Sequence, residues 1–466
     1  MLPFDTLMFR GEDDPRTRST LTGVFILDRA PDWDTLVETW ERVSRVIVPL
    51  RQRVVQATMT LGLPMWVVDP DFDLSYHLRR TRLPLPGTQR QLLDYLEPIT
   101  MAPLDRARPL WEFTLVEGLE DNAAAFVMKV NHAVTDGVGG QAMAQIAFDL
   151  QREVGPKVMP PLPIPEDLSP GDLMVHDLVR APGEAVATAS RAIRTAARAA
   201  GEFAVRPGRA VSGTAAYFQS LGRVMGGPGA KPSPLTRQRS LRRHLDVVEA
   251  SLDDLRAASK SAGGSLNDGL LAAVCGGVRL YHEHFGVPVE SIPLAMPINL
   301  RTDADPAGGN QWTGVQLAPP VSEKDPAARI RAIREEVAEA RREPALNAMS
   351  AVAPLAARIP MWLLSTAFGG VNATGPDMQV SNIPGSPVPL YLAGAKVTKT
   401  LGFGPVPGAA AMLTLNSYVH DCFIGINLDP AAITDPDLFA QCLRDGVDEV
   451  LTLRPRPPRR NRSDRG

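Results

Sequence analysis

The chain has 466 residues, which at roughly 150 per domain suggests two to four domains, two large ones being the simplest division. With 44% hydrophobic and 22% charged residues it has the makeup of a globular protein with a substantial core, so disorder across the whole chain is excluded. Its 49 basic and 52 acidic side chains leave a net charge of −3, which gives no global pull toward nucleic acid or an acidic membrane.

Residues 1–155 read as one mixed α/β unit. A strand is predicted over 20–27 and a helix over 33–46, where Leu36, Val37, Trp40 and Val43 fall on one face. A polar loop region with Pro64, Pro70, Pro84 and Pro86 follows, then a second helix near 89–96. Residues 123–130, AAAFVMKV, are a continuous apolar strand candidate running straight into NHAVTDGVGG. The helix after it places Met143, Ile146, Ala147 and Leu150 on one side. Strand, short polar loop and helix is an arrangement in which rigid neighbours hold a reactive loop.

Residues 156–243 differ in composition. PKVMPPLPIPEDLSP reads as an extended linker, and an Ala/Arg-rich helix is expected over 185–205. From Val186 to Arg243 there are eleven Lys and Arg against one acid, Glu202, a local excess of +10. Two readings stand for it: a solvated helix face, or a docking surface for anionic lipid or a phosphate tail.

Residues 244–455 form a second α/β unit. A helix near 266–285 precedes a strand at 292–300, and β-like runs follow at 395–401, 411–418 and 423–428. The tail 456–466 belongs to an Arg- and Pro-rich stretch read as disordered.

Most catalytic signatures are missing. There is no G-x-S-x-G, P-loop, H-E-x-x-H or helix-opening G-x-G-x-x-G. Cys275, Cys422 and Cys442 make no C-x-x-C pair, and His282 and His284, two apart on a predicted helix, face different directions and read as surface residues. No metal site and no cofactor are expected. The N-terminus lacks a basic region followed by an apolar one, and no run of 18 apolar residues occurs, so neither secretion nor a membrane span is expected. What remains is His132-Ala-Val-Thr-Asp136-Gly137 at a strand end. Histidine is the side chain best suited to take a proton from a hydroxyl near neutral pH. The plain alternative is a core histidine satisfied by its own loop.

NHAVTDG resembles the HHxxxDG signature of the bacterial wax ester synthase/acyl-CoA:diacylglycerol acyltransferase family. Further matches follow in the family's order: Pro109-Leu110-Trp111, Ser265-Leu266-Asn267-Asp268, Pro297-Ile298-Asn299-Leu300-Arg301, Gly309-Asn310 and Ser381-Asn382-Ile383-Pro384-Gly385. DPDFDLSYHL, residues 69–78, is similar to the family as well. The departure is at the first motif position, where Asn131 stands in place of a histidine.

The resemblance implies two chloramphenicol-acetyltransferase-like lobes, each a mixed sheet with flanking helices, at 1–155 and 244–455. The segment 156–243 would join them. Their interface would form a tunnel in which acyl-CoA, as substrate, meets a lipid alcohol such as diacylglycerol or a fatty alcohol. His132 would be the general base. Asn131, Asp136, Gly137 and Arg301 would support the site, Asp136 through a pairing with Arg301, while Asn267, Asp268 and Asn382 would contact substrate. The basic segment 191–243 would bring a cytoplasmic enzyme to a membrane or lipid-body surface, with no nucleic acid involved. Two rivals are an acyltransferase acting on a polyketide, glycolipid or sterol hydroxyl or using a carrier-bound donor, and a non-catalytic lipid-binding protein.

Overall fold

The computed structural model describes residues 1–57, 62–134, 137–175, 179, 230–299, 312–342 and 376–454. Asp136, Arg301, the Gly309-Asn310 pair, the helix expected over 185–205 and the tail 456–466 lie outside them.

Local chemistry sets the helix ends. Helix α1 (Pro3–Gly11) has proline in its first turn, where the missing N–H costs nothing. Helix α2 (Trp33–Val46) is capped by the Asp32 carboxylate, which accepts from the Thr35 N–H. Its Leu36, Trp40 and Val43 are fully buried. Trp40 packs edge-on against Phe113 at 4.6 Å and stacks on Phe126 at 5.5 Å. This aromatic cluster anchors the helix to its sheet by apolar burial and ring–ring contact.

That sheet contains β1 (Thr20–Leu27), β4 (Leu78–Arg82), β5 (Trp111–Glu117), β6 (Ala124–Asn131), β11 (Tyr391–Leu392) and β12 (Ala395–Phe403), ordered β11-β12-β1-β6-β5-β4. It is antiparallel except at β4–β5. A second sheet holds β7 (His244–Ser251), β8 (Leu294–Asn299), β9 (Trp312–Leu317), β10 (Met378–Ile383), β13 (Ala411–Tyr418) and β14 (Asp421–Leu428), ordered β7-β14-β13-β10-β8-β9. A small hairpin, β2 (Gln52–Val55) with β3 (Met65–Val68), completes the strands. Further helices among the described residues include α3 (Leu74–His77), α4 (Gln89–Met101), α5 (Gly137–Ala147), α6 (Leu252–Ser261), α7 (Leu266–His284), α8 (Pro326–Arg341) and α9 (Pro436–Leu451). The architecture is mixed α/β, with two lobes that each carry a six-stranded sheet.

Several expectations need correction. The stretch read as a polar loop contains β2, β3, α3 and β4, whose short strands leave too few residues for a periodic signal. Helix α4 runs on to Met101 because Pro98, inside it, removes one hydrogen bond without ending it. Helix α5 stops at Ala147, so Leu150 is not on its apolar face but 73% exposed. Strand β12, expected with the C-terminal unit, leaves it and pairs with β1 of the first sheet, from Thr22↔Phe403 to Leu27↔Val397. The lobes therefore share strands, and the first core includes Leu392, Val397, Leu401 and Phe403. Tyr418 fastens this crossover: its hydroxyl accepts from the Leu390 N–H and donates to the Val397 carbonyl. A second clasp joins α4 to the edge strand β7, where Arg90 donates to the Leu245 carbonyl at 2.7 Å and Glu97 accepts its N–H at 3.1 Å.

Candidate active site

Strand β6 ends at Asn131, which faces Thr20 across the ladder. The next residue is His132, half-buried, in a turn. Three hydrogen bonds hold that turn: Asn131 N–H to Leu110 C=O at 3.0 Å, His132 N–H to Ser19 C=O at 3.2 Å, and Val134 N–H to Asn131 C=O at 2.9 Å. The Asn131 side chain adds a fourth, its Oδ1 accepting the Ala133 N–H at 2.8 Å. Asparagine often closes turns in this way. Asn131 is fully buried and its Nδ2 has no partner among the described residues. Gly137 opens α5 five residues beyond His132. The expected pairing of Asp136 with Arg301 falls outside the described residues.

The Pro109-Leu110-Trp111 element lies directly beneath the turn. The Leu110 carbonyl is the one that receives the Asn131 N–H. Trp111, fully buried, donates its indole N–H to the Leu50 carbonyl at 2.8 Å. Its own carbonyl accepts from His77 Nδ1 at 2.7 Å, so the neutral imidazole carries its proton on Nδ1. His77 packs against the rings of Trp111 at 4.5 Å and Phe72 at 5.3 Å, and burial pushes its pKa down to about 4. The DPDFDLSYHL segment thus builds the floor under β5.

In the other lobe, Asn267 and Asn382, 115 residues apart in sequence, are brought into direct contact: Asn382 Nδ2 donates to Asn267 Oδ1 at 2.6 Å. Asn382 Oδ1 is buried and has no partner among the described residues. Asp268 stands at the start of the same helix. Its carboxylate accepts from the Ser265 N–H and hydroxyl, closing a capping box at the start of α7.

Some residues were not picked out by the sequence. Lys129 is buried in β6 and donates to the Ala102 carbonyl at 2.8 Å, and desolvation lowers its pKa. Arg18 donates to the neighbouring Met101 carbonyl at 2.5 Å. Two cations thus meet the negative end of α4. The one charged residue in an otherwise apolar run was the available signal for Lys129. His282 is not a surface residue: it is 1% exposed, bonded through Nδ1 to the Val278 carbonyl at 2.7 Å and through Nε2 to the Ser233 hydroxyl at 2.6 Å. The pair pins the chain where it enters the C-terminal lobe. Part of the basic excess is likewise internal, since Arg239 and Arg243 face the buried Asp377 and Asp429.

Comparison with known proteins agrees with this architecture along nearly the whole chain. Residues 3–270 match the wax ester synthase/diacylglycerol acyltransferase catalytic domain, and residues 308–450 match the WS/DGAT C-terminal domain. A protein of Mycobacterium tuberculosis H37Rv, itself provisionally named a diacylglycerol O-acyltransferase, is 46% identical over 451 residues, 97% of this chain and 91% of that one. A second protein of that strain with the same provisional name is 28% identical over 448 residues, 92% of each chain. Among solved structures, the wax ester synthase/diacylglycerol acyltransferase from Marinobacter aquaeolei VT8 is similar with a TM-score of 0.63 at 21% identity, covering 97% of this chain and 99% of that one. The starter condensation domain of rhizomide synthetase, solved with C8-CoA and Leu-SNAC, is similar with a TM-score of 0.58 at 13% identity, covering 97% and 93%. The two-lobed fold is that of chloramphenicol-acetyltransferase-like enzymes. The chain belongs to the wax ester synthase/diacylglycerol acyltransferase family and is an acyltransferase of that family.

Proposed function

We propose that the protein transfers a long-chain acyl group from acyl-CoA to a lipid alcohol, diacylglycerol first and a fatty alcohol second, with His132 as general base. The observation that carries this reading is His132 in a turn fixed by Ser19 and Asn131 at the end of β6, within the family's signature. The imidazole takes the proton of the acceptor hydroxyl, and the oxygen attacks the thioester carbonyl. The tetrahedral adduct collapses with cleavage of the C–S bond, and the CoA thiolate recovers the proton. No acyl-enzyme is required, because the thioester is already activated. Asn131, Gly137 and, within the motif, Asp136 and Arg301 support the loop; Asn267 and Asn382 offer a polar pair for the substrate carbonyl.

The test is CoA-thiol release from palmitoyl-CoA with diacylglycerol or hexadecanol, comparing wild type with His132→Ala. Acceptor-dependent release that disappears in the variant supports the assignment and names the acceptor. Unchanged release in the variant removes His132 as base. No described helix is long and apolar enough to cross a membrane. Contact with a membrane or lipid-body surface through the basic segment 191–243 is part of the same reading, excluding Arg239 and Arg243, which face internal acids. Release from membranes by moderate salt is the expected behaviour.

A further inference from the structure

Opposed residues of an antiparallel pair share one face of the sheet. Thr20 with Asn131, and Thr22 with Lys129 and Phe403, therefore project from the same side of the first sheet. On that side a cavity of about 280 Å³ lies between the lobes. Thr20, Arg16 and Arg18 come to its wall from the N-terminal lobe, Phe403 from the crossover strand, and Arg243 and Asn427 from the C-terminal lobe. Three guanidinium groups line it and, among the described residues, no carboxylate does.

The three arginines are not equivalent. Arg16 is clamped by both oxygens of Asp14, and its charge is already answered. Arg18 donates only to the backbone carbonyls of Glu12 and Met101 and has no carboxylate partner among the described residues. Arg243 is 12% exposed at its side chain, and its acid, Asp429, stands at 4.0 Å, the outer limit of an ion pair. Asp429 is also occupied by the Ser240 hydroxyl at 2.6 Å. Arg243 otherwise donates to the Ser240 and Arg242 carbonyls at 3.2 and 2.7 Å, so among the described residues neither Arg18 nor Arg243 has a close carboxylate. Asn427, also in the wall, is 4% exposed and donates its Nδ2 to the Gly404 carbonyl at 2.8 Å.

We propose that this inter-lobe cavity binds a phosphate ester, the phosphate taken by Arg18 and Arg243. Guanidinium forks match phosphate oxygens in geometry as well as charge. The volume falls just under the roughly 300–1,000 Å³ of sites for drug-sized ligands, so it suits one phosphate-bearing segment rather than a whole nucleotide. Two substrates could bring that chemistry: the CoA donor through its phosphates, or an acceptor alcohol that is itself phosphorylated. The cavity shares the seam used by the acyl-transfer reading. Its occupancy is measured without turnover, so the two readings fail separately.

The experiment is calorimetric titration of the full-length protein with CoA, with sn-glycerol 3-phosphate, and with inorganic phosphate. Wild type is compared with Arg18→Gln, Arg243→Gln and Leu241→Glu, with thermal midpoints recorded in parallel. Leu241 lines the rim and is 52% exposed, so an added carboxylate there repels an anion without entering the core. The expected result is that one of the two esters binds wild type, and that each variant weakens it roughly tenfold or more, the size of one charge-assisted hydrogen bond. Which ester binds names the source. Equal affinity in wild type and all three variants overturns the site, as does failure of both esters to bind wild type. Inorganic phosphate binding as tightly as the better ester overturns the assignment of an ester as the ligand.

Discussion

The Asn131 carboxamide and the Ala133 N–H are joined by a 2.8 Å hydrogen bond, and His132 lies between them. Asn131 thus holds the turn that presents the neighbouring imidazole. Asn131→Ala removes that bond from a fully buried position and leaves the Ala133 N–H without its acceptor. The expected cost is about 1–3 kcal/mol of stability. Acyl transfer should fall roughly tenfold or more, because small displacements of a base are expensive in rate. Denaturant midpoints and turnover of the same preparation check both. A variant with wild-type turnover and reduced stability would separate the turn from the chemistry.

Two buried imidazoles make stability depend on pH. Burial pushes His77 from 6.5 down to about 4, with Arg108 and Arg79 acting in the same direction, and burial also lowers His282. In both cases the folded state disfavours the proton that the unfolded chain takes up below about pH 6.5. Their contribution is therefore complete above pH 6.5 and declines as pH falls toward the folded value. For His77 the loss by pH 4 is about 3 kcal/mol. His77→Gln should flatten the fall of thermal midpoint between pH 6.5 and 4. A wild-type slope that the variant leaves unchanged would place the acid sensitivity elsewhere.

Glycine is required where the crossover strand meets the second sheet. A Cβ on Gly425 of β14 would lie 2.1 Å from the Gly402 carbonyl oxygen of β12, a contact with backbone that no rotamer relieves. Gly425→Ala is expected to push the lobes apart locally and cost about 1–3 kcal/mol. The inter-lobe seam is where substrates are read to meet, so activity should fall more than stability alone explains. Chemical denaturation and acyl-transfer assays at a temperature well below the midpoint separate the two.

Glu449 on α9 bridges Arg279 of α7 and Arg329 of α8, the latter at 2.8 Å and fully buried. Arg279 keeps a second acid, Glu283, at 2.9 Å, whereas among the described residues Arg329 retains only the Glu323 backbone carbonyl at 2.8 Å. Glu449→Ala should therefore cost about 3 kcal/mol, because it leaves a buried guanidinium without its counter-charge. Replacing Glu449 by Gln should recover part of that loss through hydrogen bonding alone. Urea unfolding of the two variants side by side is the measurement.

What the sequence determined by itself is local or carried by motif. The α2 limits follow from an Asp cap and a 3.6-residue apolar period, and the α7 start follows from Ser265 with Asp268. The buried run before His132 is legible because β6 is apolar on both faces apart from Lys129 and its last residue, Asn131. The order of family-like elements from Pro109 to Gly385 pointed to two lobes and to a reactive loop at His132. The tertiary structure decided what depends on distant partners. Only long-range register takes β12 across to β1, since nothing in residues 395–403 distinguishes a strand for one sheet from a strand for the other. Only packing turns His282 from an apparent surface residue into a buried partner of Ser233, brings Asn267 to Asn382, and sets Arg18 and Arg243 around one cavity. Helix and strand signals arise between near neighbours, where periodicity and capping act. Burial and charge compensation are set by residues far off in the chain, 49 positions for His282 and Ser233 and 115 for Asn267 and Asn382, and a single sequence carries no register for them.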